Sequence, residues 1–289
     1  MNEEEKSMKN ILMDCAVGTS LWALAEKNNL PKLPVWQYAV EQPEIVRELV
    51  LENYKAGAQI ILTDTFAANR PSVKRKTNYS VEEIVKAAVK ITKDALAGTE
   101  VPTALAIGPL TALLEPFGDM EEDECREYYE EMISAGMEAG AEMIYLQTFL
   151  DLEMMRIATE VAKKYPVPVF CTMTFEKVGK TMMGNSVEDV VNVLEPLGID
   201  AIGMNCSLGP ELAIPVIKEF TKYTKLPLIF KPNAGLPVTN EAGQQVSPYT
   251  PEMFVKEVTP ALDFVTYIGG CCGTDPTYIA ELKKVIKSE

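Results

Sequence analysis

Eight short, apolar, β-rich runs alternate along this chain with longer amphipathic stretches, and this alternation limits the fold more than any other feature of the sequence. The runs span Ile11–Asp14, Ile60–Asp64, Thr103–Ile107, Met143–Leu146, Val169–Met173, Ala201–Asn205, Leu228–Pro232 and Phe264–Ile268. Most of them are apolar throughout, as expected for strands that helices cover. Helical spacing of apolar residues marks Glu44–Lys55, Val81–Leu96, Met120–Ala139, Leu152–Lys164, Val187–Leu194, Leu212–Tyr223, Pro251–Val258 and Pro276–Ile286. The pattern predicts an α/β fold, a single (β/α)8 TIM barrel, as one domain over residues 1–289.

An open, doubly wound α/β sheet is the alternative architecture, and the count of eight strands favours the barrel. Helix boundaries agree with the assigned elements. Ser80 and Glu83 form a capping-box pair, and Pro251 and Pro276 suit a first helical turn. Glycines expected to end helices before a strand are Gly57, Gly140 and Gly198. Long connections at 15–42 and 233–250 follow the first and seventh strands, where barrels place their functional loops.

Composition excludes several classes of protein. The net charge of −15 without a basic cluster argues against nucleic-acid binding. No apolar run reaches the length of a membrane span, which predicts no membrane association. The first ten residues carry three glutamates and no apolar segment behind a basic one, so we expect no signal peptide and a cytoplasmic location.

The sequence contains no histidine, which excludes Ser-His-Asp and Cys-His catalysis and any metal site that needs imidazole. A transition-metal site in this chain must therefore use thiolates and carboxylates. There are six cysteines, and in a large cytosolic chain metal binding or catalysis is favoured over disulfides.

Three of the cysteines are predicted to meet at one rim of the barrel. Cys206 directly follows the sixth strand, and Cys271 and Cys272 follow the eighth. Parallel strands all end at the same face, where barrel enzymes keep their chemistry. A bond between Cys271 and Cys272 would be strained, because adjacent Cα atoms lie about 3.8 Å apart and disulfides prefer roughly 4.4–6.8 Å. The neighbouring residues Gly269, Gly270 and Gly273 would instead let both thiols turn toward one metal.

Three thiolates on Zn²⁺ would leave a fourth position open, as in catalytic and not structural zinc sites. An incoming thiol bound there would be a thiolate near neutral pH, which suits alkyl transfer to sulfur. We interpret Cys125 and Cys171 as core residues. Cys15, at the end of the first strand, fits either a core or a site position.

Several motifs carry a resemblance to a known family. They are Met13-Asp14-Cys15-Ala16-Val17-Gly18-Thr19, Leu62-Thr63-Asp64-Thr65-Phe66, Ile107-Gly108-Pro109, Met173-Thr174-Phe175, Asn205-Cys206-Ser207-Leu208-Gly209-Pro210, Lys231-Pro232-Asn233-Ala234-Gly235 and Gly269-Gly270-Cys271-Cys272-Gly273-Thr274. The chain resembles the homocysteine S-methyltransferase family, which includes the homocysteine-binding domain of cobalamin-dependent methionine synthase and betaine–homocysteine methyltransferase. The motifs run nearly end to end, and the Asn-Cys and Gly-Gly-Cys-Cys-Gly-Thr pair is highly specific.

The resemblance implies a (β/α)8 barrel with zinc as cofactor on Cys206, Cys271 and Cys272. It implies that the thiol of homocysteine binds this zinc and accepts a methyl group, giving methionine. The likeness to the methionine synthase domain implies a separate corrinoid protein as partner, and betaine or S-methylmethionine are alternative donors. Candidate substrate-binding residues are Asp14, Gly18, Thr19, Asp64, Gln147, Asn205 and Asn233.

Three positions depart from the family pattern. Cys15 stands where glycine usually follows Asp14, Asp64 stands where asparagine is common, and Gln147 replaces an acid that contacts the amino group of homocysteine. Two hypotheses follow. Asp64, aided by Asp14, binds the ammonium group of homocysteine, or the acceptor is a different thiol.

Other interpretations of the same residues stay open at this point. Gly269-Gly270 before a helix could bind phosphate, although a phosphate loop has no use for two cysteines. Lys231 could form a Schiff base, and a rim charge facing solvent is favoured over it. A non-catalytic module that holds zinc or docks a corrinoid protein is the alternative of a different class.

Overall fold

A parallel sheet forms the centre of the protein in the computed structural model, which describes residues 10–239 and 245–286. The strands are β1 (Ile11–Leu12), β2 (Ile61–Leu62), β3 (Thr103–Ile107), β4 (Met143–Phe149), β5 (Val169–Met173), β6 (Ala201–Asn205), β7 (Leu228–Lys231), β8 (Val238–Thr239), β9 (Gln245–Val246) and β10 (Tyr267–Ile268). The signal-peptide prediction concerns residues 1–10, and the first nine of these lie outside the described residues. Residues 240–244 and 287–289 also lie outside them.

Helices separate the strands of the sheet. They are α1 (Val17–Lys27), α2 (Tyr38–Glu41), α3 (Pro43–Ala56), α4 (Arg70–Lys74), α5 (Val81–Ala95), α6 (Glu122–Glu138), α7 (Leu152–Ala162), α8 (Val187–Leu194), α9 (Pro210–Phe220), α10 (Pro251–Val258) and α11 (Pro276–Leu282). Among the described residues, no helix combines the length and apolar character needed to cross a membrane.

The sheet closes on itself. Its eight strands follow the order β1-β10-β7-β6-β5-β4-β3-β2, and every pair is parallel. A parallel bridge between Met13 and Ile60 joins the two ends, and the Gln59 amide donates to the Leu12 carbonyl at 2.7 Å. The closure confirms the (β/α)8 barrel over the open sheet. Strands β8 and β9 form a separate antiparallel pair beyond β7.

Side chains of each strand alternate between the barrel interior and the layer beneath the helices. In β3, Ala104 and Ala106 belong to the inner cluster with Tyr145 and Phe170, while Leu105 and Ile107 pack against the helices. Small side chains on one strand thus make room for aromatic rings from its neighbours inside the barrel.

The helix boundaries follow the sequence signals. Ser80 and Glu83 form the expected capping box at the start of α5. Gly57 ends α3 in the left-handed conformation, at a φ of 105°. Pro251 and Pro276 occupy the first turns of α10 and α11.

Two connections differ from the sequence prediction. The stretch 15–42, predicted to be a long connection, contains α1 and α2 and a 3-10 turn at Val35–Gln37. The predicted strand Phe264–Ile268 pairs only over Tyr267–Ile268. The amides of Phe264 and Val265 donate instead to the carbonyl of Ala261, in the 3-10 turn Thr259–Ala261, whereas the Thr266 amide donates to Leu228 of β7.

Candidate metal centre and substrate cavity

Three cysteine thiols meet at the carboxyl ends of the barrel strands, as the sequence predicts. The sulfur atoms of Cys206, Cys271 and Cys272 all lie within 4.8 Å of one another. The Cys206 and Cys272 sulfurs are 3.7 Å apart. All three thiols are free of disulfide bonds. A residue after β6 and two residues after β10 thus form one three-sulfur cluster.

Backbone geometry at both strand ends aims the thiols at this point. Cys206 has a φ of 61°, a left-handed conformation that non-glycine residues rarely adopt. The turn after β10 is fixed by neighbouring strand ends, because the Cys271 amide donates to the Pro232 carbonyl and the Ala234 amide donates to the Cys272 carbonyl. Strained backbone held by surrounding bonds is typical of functional sites.

The cluster has the dimensions of a thiolate metal site. Zn–S bonds of about 2.3 Å at tetrahedral angles separate two sulfurs by about 3.8 Å, close to the Cys206–Cys272 distance. The hydrogen bond with Cys206 and burial raise the pKa of Cys271 to about 12. A bound dication would stabilise the ionised form of these thiols, because thiolates and not thiols are metal ligands. The residues present fit zinc.

Asn205 supports the cluster from the end of β6. Its amide nitrogen lies 3.7 Å from the Cys271 sulfur and 2.7 Å from the Thr148 hydroxyl, to which it donates. Its carbonyl oxygen accepts from the Thr148 amide at 2.8 Å and from the Thr172 hydroxyl at 2.7 Å. Sequence reasoning expected a substrate contact here. The structure shows a fully buried side chain whose hydrogen bonds orient a sulfur and a strand end.

A cavity of about 590 Å³ opens beside the three sulfurs. Four of the predicted substrate-binding residues line it, namely Gly18, Thr19, Asp64 and Gln147. Asp14, Asn205 and Asn233 are buried and do not line this cavity. Much of the wall is apolar, with Val17, Val35, Trp36 and Phe66 contributed by segments outside the predicted strands and helices.

The first turn of α1 forms one side of the cavity. The helix begins after Ala16, no side chain caps its amino end, and its first turn carries no acidic residue. Unbonded backbone amides and the helix dipole favour a negative group at such an end. The Thr19 hydroxyl is buried and has no hydrogen-bond partner among the described residues.

Asp64 lies on the same cavity and is only 2% exposed. Neither of its carboxylate oxygens accepts a hydrogen bond from another described residue. Burial raises the pKa of Asp64 to about 7, opposed only by its own backbone amide. The sequence predicts Asp64 at the site, but only the structure reveals that its carboxylate has no hydrogen-bond partner in the described part of the chain.

Lys231 lies at the end of β7 and is buried, so the prediction of a rim charge facing solvent is wrong. Its ammonium nitrogen lies 2.5 Å from an Asp14 oxygen, and the second Asp14 oxygen accepts from the Leu62 amide at 2.8 Å. The sheet order β1-β10-β7 places the ends of β1 and β7 on either side of one strand, close enough for Asp14 and Lys231 to meet. Both groups are therefore satisfied within the protein.

The other cysteines divide as expected. Cys125 in α6 and Cys171 in β5 are fully buried, which confirms their core placement. Cys15 is also buried, yet it touches the cavity wall. Burial, with the charge of Asp14, raises the pKa of the Cys15 thiol to about 12, so it is present as a neutral thiol.

A (β/α)8 barrel with three cysteine thiols gathered beside a cavity at the carboxyl ends of its strands defines a small class of proteins. This chain belongs to the homocysteine S-methyltransferase family, whose model matches residues 11–286.

Similar proteins agree with this membership. The chain is 26% identical over 262 positions to methionine synthase of Mycobacterium tuberculosis, and the match covers 85% of this chain and 22% of that protein. Methionine synthase of Mycobacterium leprae is 26% identical over 268 positions, covering 85% and 21%. The chain thus spans about a fifth of the length of these curated relatives. The homocysteine methyltransferase MmuM of Escherichia coli, in its metallated form, superposes with a TM-score of 0.77 at 22% identity, covering 96% of each chain. This last likeness concerns the fold.

Proposed function

We propose that this protein is a zinc-dependent thiol S-methyltransferase that methylates homocysteine to methionine. The observation that carries the proposal is the three-sulfur cluster beside a cavity large enough for a small substrate. Membership of the homocysteine S-methyltransferase family supports both the acceptor and the reaction class.

Cys206, Cys271 and Cys272 would hold the zinc. The metal would supply a fourth coordination position at which a substrate thiol is kept as a nucleophilic thiolate near neutral pH. With three cysteines as ligands, the substrate thiol would take the position that a fourth protein ligand fills in structural zinc sites. We propose that the protein contributes no general base beyond this arrangement.

The protein's own residues would bind and orient the substrate. The uncapped start of α1, with Gly18 and the Thr19 hydroxyl, is suited to the carboxylate of an amino acid. Gln147 offers an amide on the cavity wall. Apolar walls at Trp36 and Phe66 would exclude water from the methyl group in transit. Asp14, Asn205 and Asn233 would act from behind the cavity surface, in place of the direct contact predicted from sequence.

The methyl donor is part of the proposal. The curated methionine synthases that resemble this chain are about four times its length, and the likeness to them supports a protein partner that carries the methyl group. We propose a methylated corrinoid protein as that partner, acting in the cytoplasm. Small donors such as betaine or S-methylmethionine are the competing sources.

The test combines metal analysis with a donor screen. Reduced, zinc-loaded protein is incubated with homocysteine and, in turn, S-methylmethionine, betaine and methylcobalamin, and methionine is measured by mass spectrometry. We expect about one zinc per chain and methionine from at least one donor. Cys272→Ser should lose most of both, while Cys125→Ser, a change at a buried cysteine outside the cluster, should keep them. Full zinc occupancy in Cys272→Ser would refute the assignment, and zinc without turnover on any donor would favour a non-catalytic zinc-holding module.

A further inference from the structure

Two buried aspartates stand at neighbouring strand ends, and their surroundings differ sharply. Asp14, after β1, is bonded to Lys231 and to the Leu62 amide. Asp64, after β2, is 2% exposed, and both of its oxygens lack a hydrogen-bond partner among the described residues. One carboxylate is therefore neutralised within the fold and the other is not.

No cation of the described chain is available to Asp64. Lys231, which also lines the cavity, is already paired with Asp14. Arg75 and Lys76 line the cavity but are exposed, and neither forms an ion pair with Asp64 in the part of the chain that the structure describes. A buried carboxylate without a partner is costly, and such groups in native proteins are found mainly where function needs them.

Water alone does not remove this cost. A second cavity of about 10 Å³ lies between Asp14 and Asp64, lined largely by aliphatic side chains such as Leu49 and Val50. That volume admits about one water molecule, and the larger cavity that Asp64 also lines has room for more. Water can donate hydrogen bonds to a carboxylate, but it brings no compensating charge.

The positive charge that pairs with the Asp64 carboxylate would then come from the bound ligand. We infer that Asp64 is the residue that binds the ammonium group of the thiol acceptor. This inference rests on the proposed function, because it places the thiol of the same ligand at the three cysteines. Asp64 and all three cysteines line one cavity, which a single small molecule can span.

Gln147 contributes no negative charge to the cavity. It lines the same cavity from β4 and offers hydrogen bonds without a charge. The negative charge that recognises the ammonium group therefore comes from β2 and not from β4. Asp14 does not assist, because Lys231 already neutralises it.

The experiment compares two thiols that differ only in the amine. Zinc-loaded wild-type protein is titrated calorimetrically with L-homocysteine and with 4-mercaptobutyrate, which lacks the amino group. The same titrations are made on Asp64→Asn and on Asp64→Asn combined with Gln147→Glu. Asp94→Asn, which removes an equal charge from an exposed position on α5, is the matched control.

We expect wild type and Asp94→Asn to bind homocysteine at least about tenfold more tightly than 4-mercaptobutyrate. Asp64→Asn should bring this ratio close to one without weakening 4-mercaptobutyrate, and adding Gln147→Glu should restore part of it. A ratio near one in wild type, or a ratio that survives Asp64→Asn, would overturn the inference.

A second readout separates this inference from the proposed function. Cobalt-substituted protein is examined by absorption spectroscopy while each thiol binds. New sulfur-to-cobalt bands with both thiols support the metal–thiol proposal whatever the calorimetric ratio. Unchanged spectra would contradict that proposal, while the amine preference and its loss in Asp64→Asn would still decide the role of Asp64.

Discussion

The ammonium nitrogen of Lys231 lies 2.5 Å from a carboxylate oxygen of Asp14, and the two side chains are only 3% and 1% exposed. The pair joins the end of β7 to the end of β1 directly behind the cluster of thiols. Gly269 packs against both residues, since a Cβ there would meet the Asp14 carbonyl oxygen at 2.8 Å and Lys231 Cε at 3.2 Å. The pair thus packs against the turn that carries Cys271.

Removing one member of this pair should destabilise the barrel strongly. Lys231→Met leaves a buried Asp14 carboxylate without a cation, and breaking such a pair costs about 3–5 kcal/mol. Adding Asp14→Asn removes the uncompensated charge and should recover most of the loss. Urea unfolding of the three proteins measures both effects. A loss below about 1 kcal/mol in Lys231→Met would show that the pair is not what stabilises this region.

Asp64 should make the ligand-free protein less stable as pH rises. Its pKa is 3.8 ordinarily and about 7 in the folded chain, so between these values the folded state holds a proton that the unfolded state releases. The free energy of unfolding therefore falls with rising pH across this window. Asp64→Asn should raise it by about 1–4 kcal/mol at pH 7.5 and by little below pH 4. Urea unfolding of both proteins from pH 4 to 8 tests this, and a pH-independent difference would contradict it.

Asn205 should control metal affinity without being a ligand. Asn205→Leu removes the amide that lies beside the Cys271 sulfur and the acceptor for Thr148 and Thr172, so one sulfur loses its orientation. Loss of a supporting hydrogen bond at a metal site typically weakens affinity 10–100-fold. Competition with a zinc chelator measures this. Asn192→Leu, on the exposed face of α8, serves as the control and should bind zinc as wild type does.

Gly273 should be required for the turn that holds Cys271 and Cys272. Gly273 has a φ of 85°, and a Cβ there would lie 1.9 Å from the Ser247 hydroxyl oxygen. Gly98 has a nearly equal φ of 83° and nothing within 4 Å of an added Cβ. Gly98→Ala should cost only the backbone strain, about 1 kcal/mol. Gly273→Ala should in addition lower zinc occupancy, as measured by metal analysis, and equal occupancy in the two variants would argue against this role.

The sequence by itself determined the architecture and the three cysteines that form the cluster. Strand and helix periods are local properties, and the eight runs lie where the barrel strands form. Cys206 and the Cys271-Cys272 pair follow two of those runs directly, so the parallel order of a barrel is enough to bring them to one rim. Their convergence within 4.8 Å needed no information beyond the fold class.

Only the tertiary structure decided what the charged groups around the cysteines do. Lys231 and Asp14 are separated by 217 positions, and neither residue's own segment predicts that the other neutralises it. Asp64, like Asp14, follows an apolar strand run, yet its carboxylate has no hydrogen-bond partner among the described residues. The difference arises because barrel closure sets which strand ends are neighbours and how much water reaches them, and the charge state of a carboxyl group depends on both.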